Sequence, residues 1–120
     1  MFTTTLPIPP SVNAMFPSGK SGRRFASKAY TAWKLEAALW LKRHSAGSVD
    51  KDARYSVEYT FSFKDKRRRD LANFEKGLGD FLVDHGIIGD DSQIDYMVLV
   101  REENSDNTWV FITIREIAGK

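Results

Sequence analysis

The chain has 120 residues, a length that suits one domain spanning 1–120, and its 42% apolar and 28% charged content is that of an ordinary soluble globular protein. Cysteine is absent, which excludes disulfides and thiolate or iron–sulfur chemistry. The two histidines, His44 and His85, are too few for a histidine-rich metal centre, and no apolar run approaches the roughly 20 residues that span a bilayer. The formal net charge of +2 hides a step: residues 1–69 carry 14 Lys/Arg against 5 Asp/Glu, and residues 70–120 carry 4 against 11. With no signal-peptide pattern at the start, a cytoplasmic protein without a membrane partner is expected.

Residues 2–8 are rich in β-branched side chains and end in prolines, which predicts a first strand. The following Pro7-Ile8-Pro9-Pro10-Ser11-Val12-Asn13 lacks the amide donors an interior strand or helix needs, and Pro17, Gly19 and Gly22 extend a surface loop to about Phe25. A helix starts at Ala26 or Ser27 and runs to about His44. Tyr30, Trp33, Ala37, Trp40 and Leu41 recur at helical spacing, and Leu35, Ala38 and Leu39 widen the apolar surface toward cover on a second side. Residues 45–50 read as a linker. Residues 55–63 alternate strictly, with Tyr55, Val57, Tyr59, Phe61 and Phe63 on one face of a strand.

A second helix is expected from Asp70 to His85, with the stripe Leu71, Phe74, Leu78, Phe81 and Leu82 and with Gly86 as its stop. Gly77 and Gly79 weaken it by about 1 kcal/mol each relative to alanine, so close approach or some other compensation is expected there. Residues 87–91 form a turn. Residues 95–102 and 108–116 read as two strands of a hairpin joined across Asn104-Ser105-Asp106-Asn107. The order β-α-β-α-β-β predicts a small α+β domain, two helices on a mixed sheet.

The chemistry lies in Lys64-Asp65-Lys66-Arg67-Arg68-Arg69-Asp70-Leu71-Ala72-Asn73-Phe74-Glu75-Lys76 and, twenty residues after Asp70, Asp90-Asp91. Taken singly, each piece has an ordinary explanation. An arginine run is a solvated face, Asp70 is a helix cap, and Asp90-Asp91 is turn composition. Together they place a basic run and carboxylates at the ends of one helix. A helix of that length spans about 24 Å, so its ends share a site only if the turn folds back or a second subunit intervenes. Converging carboxylates call for a hard cation, and magnesium flanked by Lys/Arg suits phosphodiester hydrolysis.

The segment Arg67 to Asn73, with Lys76, Asp90-Asp91, Gln93 and Asp95, resembles the RusA family of Holliday-junction resolvases, and Pro7 to Asn13 resembles that family's N-terminal proline–serine–asparagine signature. The resemblance covers essentially the whole chain. It implies a dimeric, magnesium-dependent endonuclease, often encoded by phages and prophages, that binds four-way DNA junctions and nicks two strands symmetrically. It makes Asp70 and Asp91 catalytic metal-binding carboxylates, Asp90 an assisting ligand, Lys76 the functional lysine, and Asn73 a motif asparagine. Lys66, Arg67, Arg68 and Arg69 would lie along DNA, joined by Lys20, Arg23 and Arg24 of the early loop.

One departure matters. The family motif is Arg-Asp-Leu-Asp-Asn, and Ala72 stands where the second aspartate belongs. A methyl group cannot ligate a cation, so the expectation is DNA binding with little nuclease activity. Two explanations stay open: a replacement made to disable cleavage, or a natural member that binds and cuts poorly, with Glu75 one turn on as a partial substitute. A second reading from another class is a non-catalytic branched-DNA-binding protein.

Ala14-Met15-Phe16-Pro17-Ser18-Gly19-Lys20-Ser21 approximates a P-loop, but prolines precede it and Gly22 follows, so strand and helix are missing where phosphate binding needs them. Phe16 and Phe25 are candidates for stacking on exposed bases. A two-fold substrate calls for a homodimer, with either the Tyr55–Phe63 strand or the first helix as its interface.

Overall fold

The computed structural model describes residues 1–15, 26–103 and 106–117. Its order is β1 (Phe2–Leu6), α1 (Val12–Met15), α2 (Lys28–His44), β2 (Ala46–Gly47), β3 (Tyr55–Ser62), α3 (Ala72–Asp84), a 3₁₀ turn (Asp91–Gln93), β4 (Ile94–Glu102) and β5 (Trp109–Glu116). The expected α+β class and order hold, with α1, β2 and the 3₁₀ turn added. The five strands lie in the order β2-β1-β5-β3-β4, and only β3 and β4 run parallel. No helix among the described residues is long and apolar enough to cross a membrane.

The strict alternation of β3 dictates its place. Tyr55, Val57, Tyr59 and Phe61 are completely buried, which requires neighbours on both edges and helices over one face. Tyr30, Trp33 and Ala37 of α2 and Leu78, Phe81 and Leu82 of α3 close over them. Trp33 also fixes the start of the chain, because its indole N–H donates to the Pro7 carbonyl at 2.9 Å.

Three expectations need correction. β4 and β5 are not hairpin partners: the chain does reverse between them, but β3 lies in the middle, pairing in parallel with β4 and antiparallel with β5. Burial decides this, since Val110, Ile112 and Ile114 of β5 are fully buried between β1 and β3, whereas β4 forms an exposed edge. The linker at 45–50 contains β2, which pairs with β1 through Phe2 and Gly47. Gly47 has φ +78°, and a Cβ there would meet the Met1 carbonyl at 2.0 Å. Finally, α2 is covered on one side by the described residues of its own chain, and Leu35 and Leu39 stand 70% and 56% exposed.

The apolar face of β3 is taken up by the core, while Ser56, Glu58 and Thr60 on its other face and Leu35 and Leu39 on the outer side of α2 stay at least partly exposed.

The prolines and the glycines explain one another. The Ser11 carbonyl accepts the Ala14 and Met15 amides, turning the Pro-rich stretch into α1, which rests on α3. At Gly77 an added Cβ would lie 3.2 Å from Met15 Sδ and 3.4 Å from Pro9 Cβ, so the N-terminal signature demands close approach there. Nothing lies within 4 Å of such an atom at Gly79, and nothing in the structure explains that glycine.

Candidate active site and nucleic-acid interface

The parallel β3-α3-β4 unit builds the site, because its two connections carry the two chemical segments. In the first, Asp70 precedes α3 and accepts the Ala72 amide on its carboxylate at 3.1 Å, while its carbonyl accepts the Asn73 amide. Helical geometry begins at Leu71, so Asp70 caps the helix from just outside it.

The second connection is a sharp return. At the end of α3, Gly86 adopts φ +69°, the Ile87 amide reaches back to Leu82 O at 2.9 Å, and the Gly86 amide to Val83 O at 3.0 Å, the hydrogen-bond pair of a Schellman motif. The chain then turns back toward α3. Asp91 comes within electrostatic reach of Glu75 and Lys76 on that helix. Asp90 opens the 3₁₀ turn, where its carboxylate accepts the Ser92 amide at 3.0 Å and the Ser92 hydroxyl, and these bonds hold it below the usual carboxylate range.

Two further residues of the resemblance anchor this return. The Gln93 side-chain amide donates to the Lys51 and Ala53 carbonyls, each at 2.7 Å. Asp95 forms a forked ion pair with Arg54, which also donates to Ser92 O at 3.0 Å. Gly89 lets the strands of this knot meet, since a Cβ would lie 2.5 Å from Gln93 Oε1 and 2.6 Å from Lys51 O.

Ala72, Lys76, Asp80 and Asp84 follow one another at intervals of four on α3. Lys76 pairs with Asp80 at 3.1 Å, and that bond, then the charges of Asp80, Asp91 and Glu75, pushes its ammonium up in pKa, so it stays protonated. Asp80 and Asp84 line, with Asp90, Asp91, Tyr30 and Lys34, an open cleft of about 290 Å³. Glu75 is half-buried, and burial, reinforced by Asp80 and Asp91, raises its pKa. Beneath lies the Tyr59 hydroxyl, buried and with no hydrogen-bond partner among the described residues. Its pKa is raised by burial first and by Glu75 and Asp91 next.

The sequence had not marked Asp80, although its i,i+4 spacing from Lys76 was legible. Nor had it marked Tyr59 as more than core, because nothing in an alternating strand distinguishes a phenol that lies under a carboxylate from one that does not.

The donor set is chemically right for a hard cation, since Asp70, Asp90 and Asp91 offer only oxygen. As assembled it does not fit a complete centre. No three carboxylate or imidazole groups among the described residues come together to hold an ion. Ala72 presents a methyl group, and Asp90 is engaged by Ser92.

The basic segment is ordered. Asp65 accepts the Arg67 amide at 3.0 Å and the N–H groups of Arg69 Nη1 and Nη2, at 2.7 and 3.1 Å. The side chains of Lys66, Arg67 and Arg68 are exposed. Lys20, Arg23 and Arg24, with Phe16 and Phe25, lie outside the described residues.

The endodeoxyribonuclease RusA family matches residues 7–115. The chain belongs to the RusA family. A relative, the crossover junction endodeoxyribonuclease RusA of Aquifex aeolicus (strain VF5), is 29% identical over 115 residues, covering 96% of this chain and 89% of that protein. The RusA match takes in both segments the resemblance rested on, the Pro-rich start and the Arg67–Asp95 region, which the fold joins through Gly77.

Proposed function

We propose that this RusA-family chain binds four-way DNA junctions as a homodimer and that its magnesium-dependent nicking of paired strands is impaired. The observation that carries the reading is the adjacency, on one parallel β-α-β unit, of a basic segment ending at Arg69 and carboxylates beginning at Asp70. Cations before the boundary hold the polyanion, and carboxylates after it face the bond to be cut.

Bound magnesium would supply Lewis-acid chemistry at the phosphate. Asp70 and Asp91, with Asp90 assisting, are the carboxylates of this chain that would hold it, and they do not come together as a complete set. The missing carboxylate at 72 leaves them short, so binding outlasts cutting. Lys76, kept as an ammonium by Asp80, would meet a phosphate oxygen.

Titration of a fluorescent four-way junction and its linear duplex, at two salt concentrations, tests the binding half. The junction should bind more tightly, with affinity falling steeply as salt rises. Equal affinity for both DNAs would refute junction recognition.

A further inference from the structure

The basic segment is held by a residue that neither its charge run nor the resemblance marks. Arg101, on β4 opposite Phe61, donates from Nη1 to the Arg67 carbonyl at 2.7 Å and from Nη2 to the Asp65 carbonyl at 3.0 Å. Its guanidinium lies 5.0 Å from the centre of the buried Phe63 ring, and that of Arg69 lies 4.1 Å from the same ring. The segment is thus gripped twice, by Asp65 through the Arg67 amide and the Arg69 side chain, and by Arg101 through two backbone carbonyls.

The result is an open recess of about 540 Å³ lined by Asp65, Lys66, Arg68, Arg69, Arg101 and Glu103. Four cations and two carboxylates leave it net positive, and Asp65 is already neutralised by Arg69. A phosphodiester is the ligand this chemistry fits: compact, singly negative, and bound best by guanidinium N–H groups whose positions are set in advance.

We infer that Arg101 is the positioning residue of a preformed DNA-phosphate site, holding the 65–69 connection so that Lys66 and Arg68 face the backbone. The inference rests on the DNA-binding reading above. A lysine cannot replace it, because one ammonium lacks the planar fork that reaches two carbonyls while lying over a ring.

Arg101→Lys, Arg101→Gln and Lys66→Gln, made in the full chain, separate positioning from contact. Exchange of the Arg67 amide, held by Asp65 in the segment that Arg101 grips, should speed up about tenfold in the free protein of both Arg101 variants, with α2 amides unchanged as the folding control, and remain as before in Lys66→Gln. Junction affinity should fall about tenfold in Arg101→Lys even though charge is kept, whereas Lys66→Gln should flatten the salt dependence by about one ion. Exchange unchanged in Arg101→Lys would overturn the clamp, as would junction binding equal to that of the parent. Should the parent chain bind no junction, the DNA reading fails and with it the phosphate site, while the exchange data still decide whether Arg101 orders the segment.

Discussion

Gln93 offers a direct measure of how firmly the Asp90-Asp91 return is held. Its side-chain amide donates two 2.7 Å bonds, to an exposed carbonyl at Lys51 and a part-buried one at Ala53. In Gln93→Ala, water replaces the first at little loss, while the second carbonyl is left without its donor. At about 0.5 kcal/mol for the first and 1.5 for the second, the loss is about 2 kcal/mol, or about 8 °C in melting temperature for a domain of this size. Gln93→Glu should lose more, because an acceptor-only carboxylate then faces two carbonyl oxygens. Thermal unfolding followed by circular dichroism, with amide exchange at residues 90–94, gives the expected order: parent, then alanine, then glutamate. A glutamate variant as stable as the parent would refute the two-carbonyl anchor and the account of how Asp91 is brought back along α3.

The two α3 glycines should respond differently to alanine. Gly79→Ala should stabilise by about 1 kcal/mol, and Gly77→Ala should lose that gain against Met15 unless Met15 is shortened in the same chain, which chemical denaturation of the two single variants and the double variant will show. Asp65, held at about 2 chiefly by its bonds to Arg69, contributes order above the ordinary carboxylate range that is lost as pH falls through about 2. An NMR titration should find its midpoint there in the parent and higher in Arg69→Met, though still below the ordinary value, because the Arg67 amide keeps its bond to the carboxylate.

Much of this was legible because burial and charge leave strong patterns. The alternation at 55–63 fixed a buried strand, and the Arg69–Asp70 boundary marked the end of one connection and the start of the next. The hairpin expectation failed because turn composition reports that the chain reverses, not which strand lies alongside. The inner face of β5 matched both neighbours, and that pairing is long-range. Likewise Gly77 looked like a weak point of α3 until Met15 and Pro9 appeared against it. Arg101 was silent for the same reason. A lone arginine in a strand gives no sign that two carbonyls of a distant connection depend on it.

The position of Ala72 carries the central claim, that the chain keeps the DNA-holding half of a RusA-family site and lacks one carboxylate of the cutting half. The most direct test is cleavage of an end-labelled four-way junction, with and without magnesium, by the parent chain and by Ala72→Asp at equal junction occupancy. Ala72→Asp should give paired, magnesium-dependent nicks, and the parent little product. Efficient magnesium-dependent cleavage by the parent, or no gain from the restored aspartate, would contradict the claim.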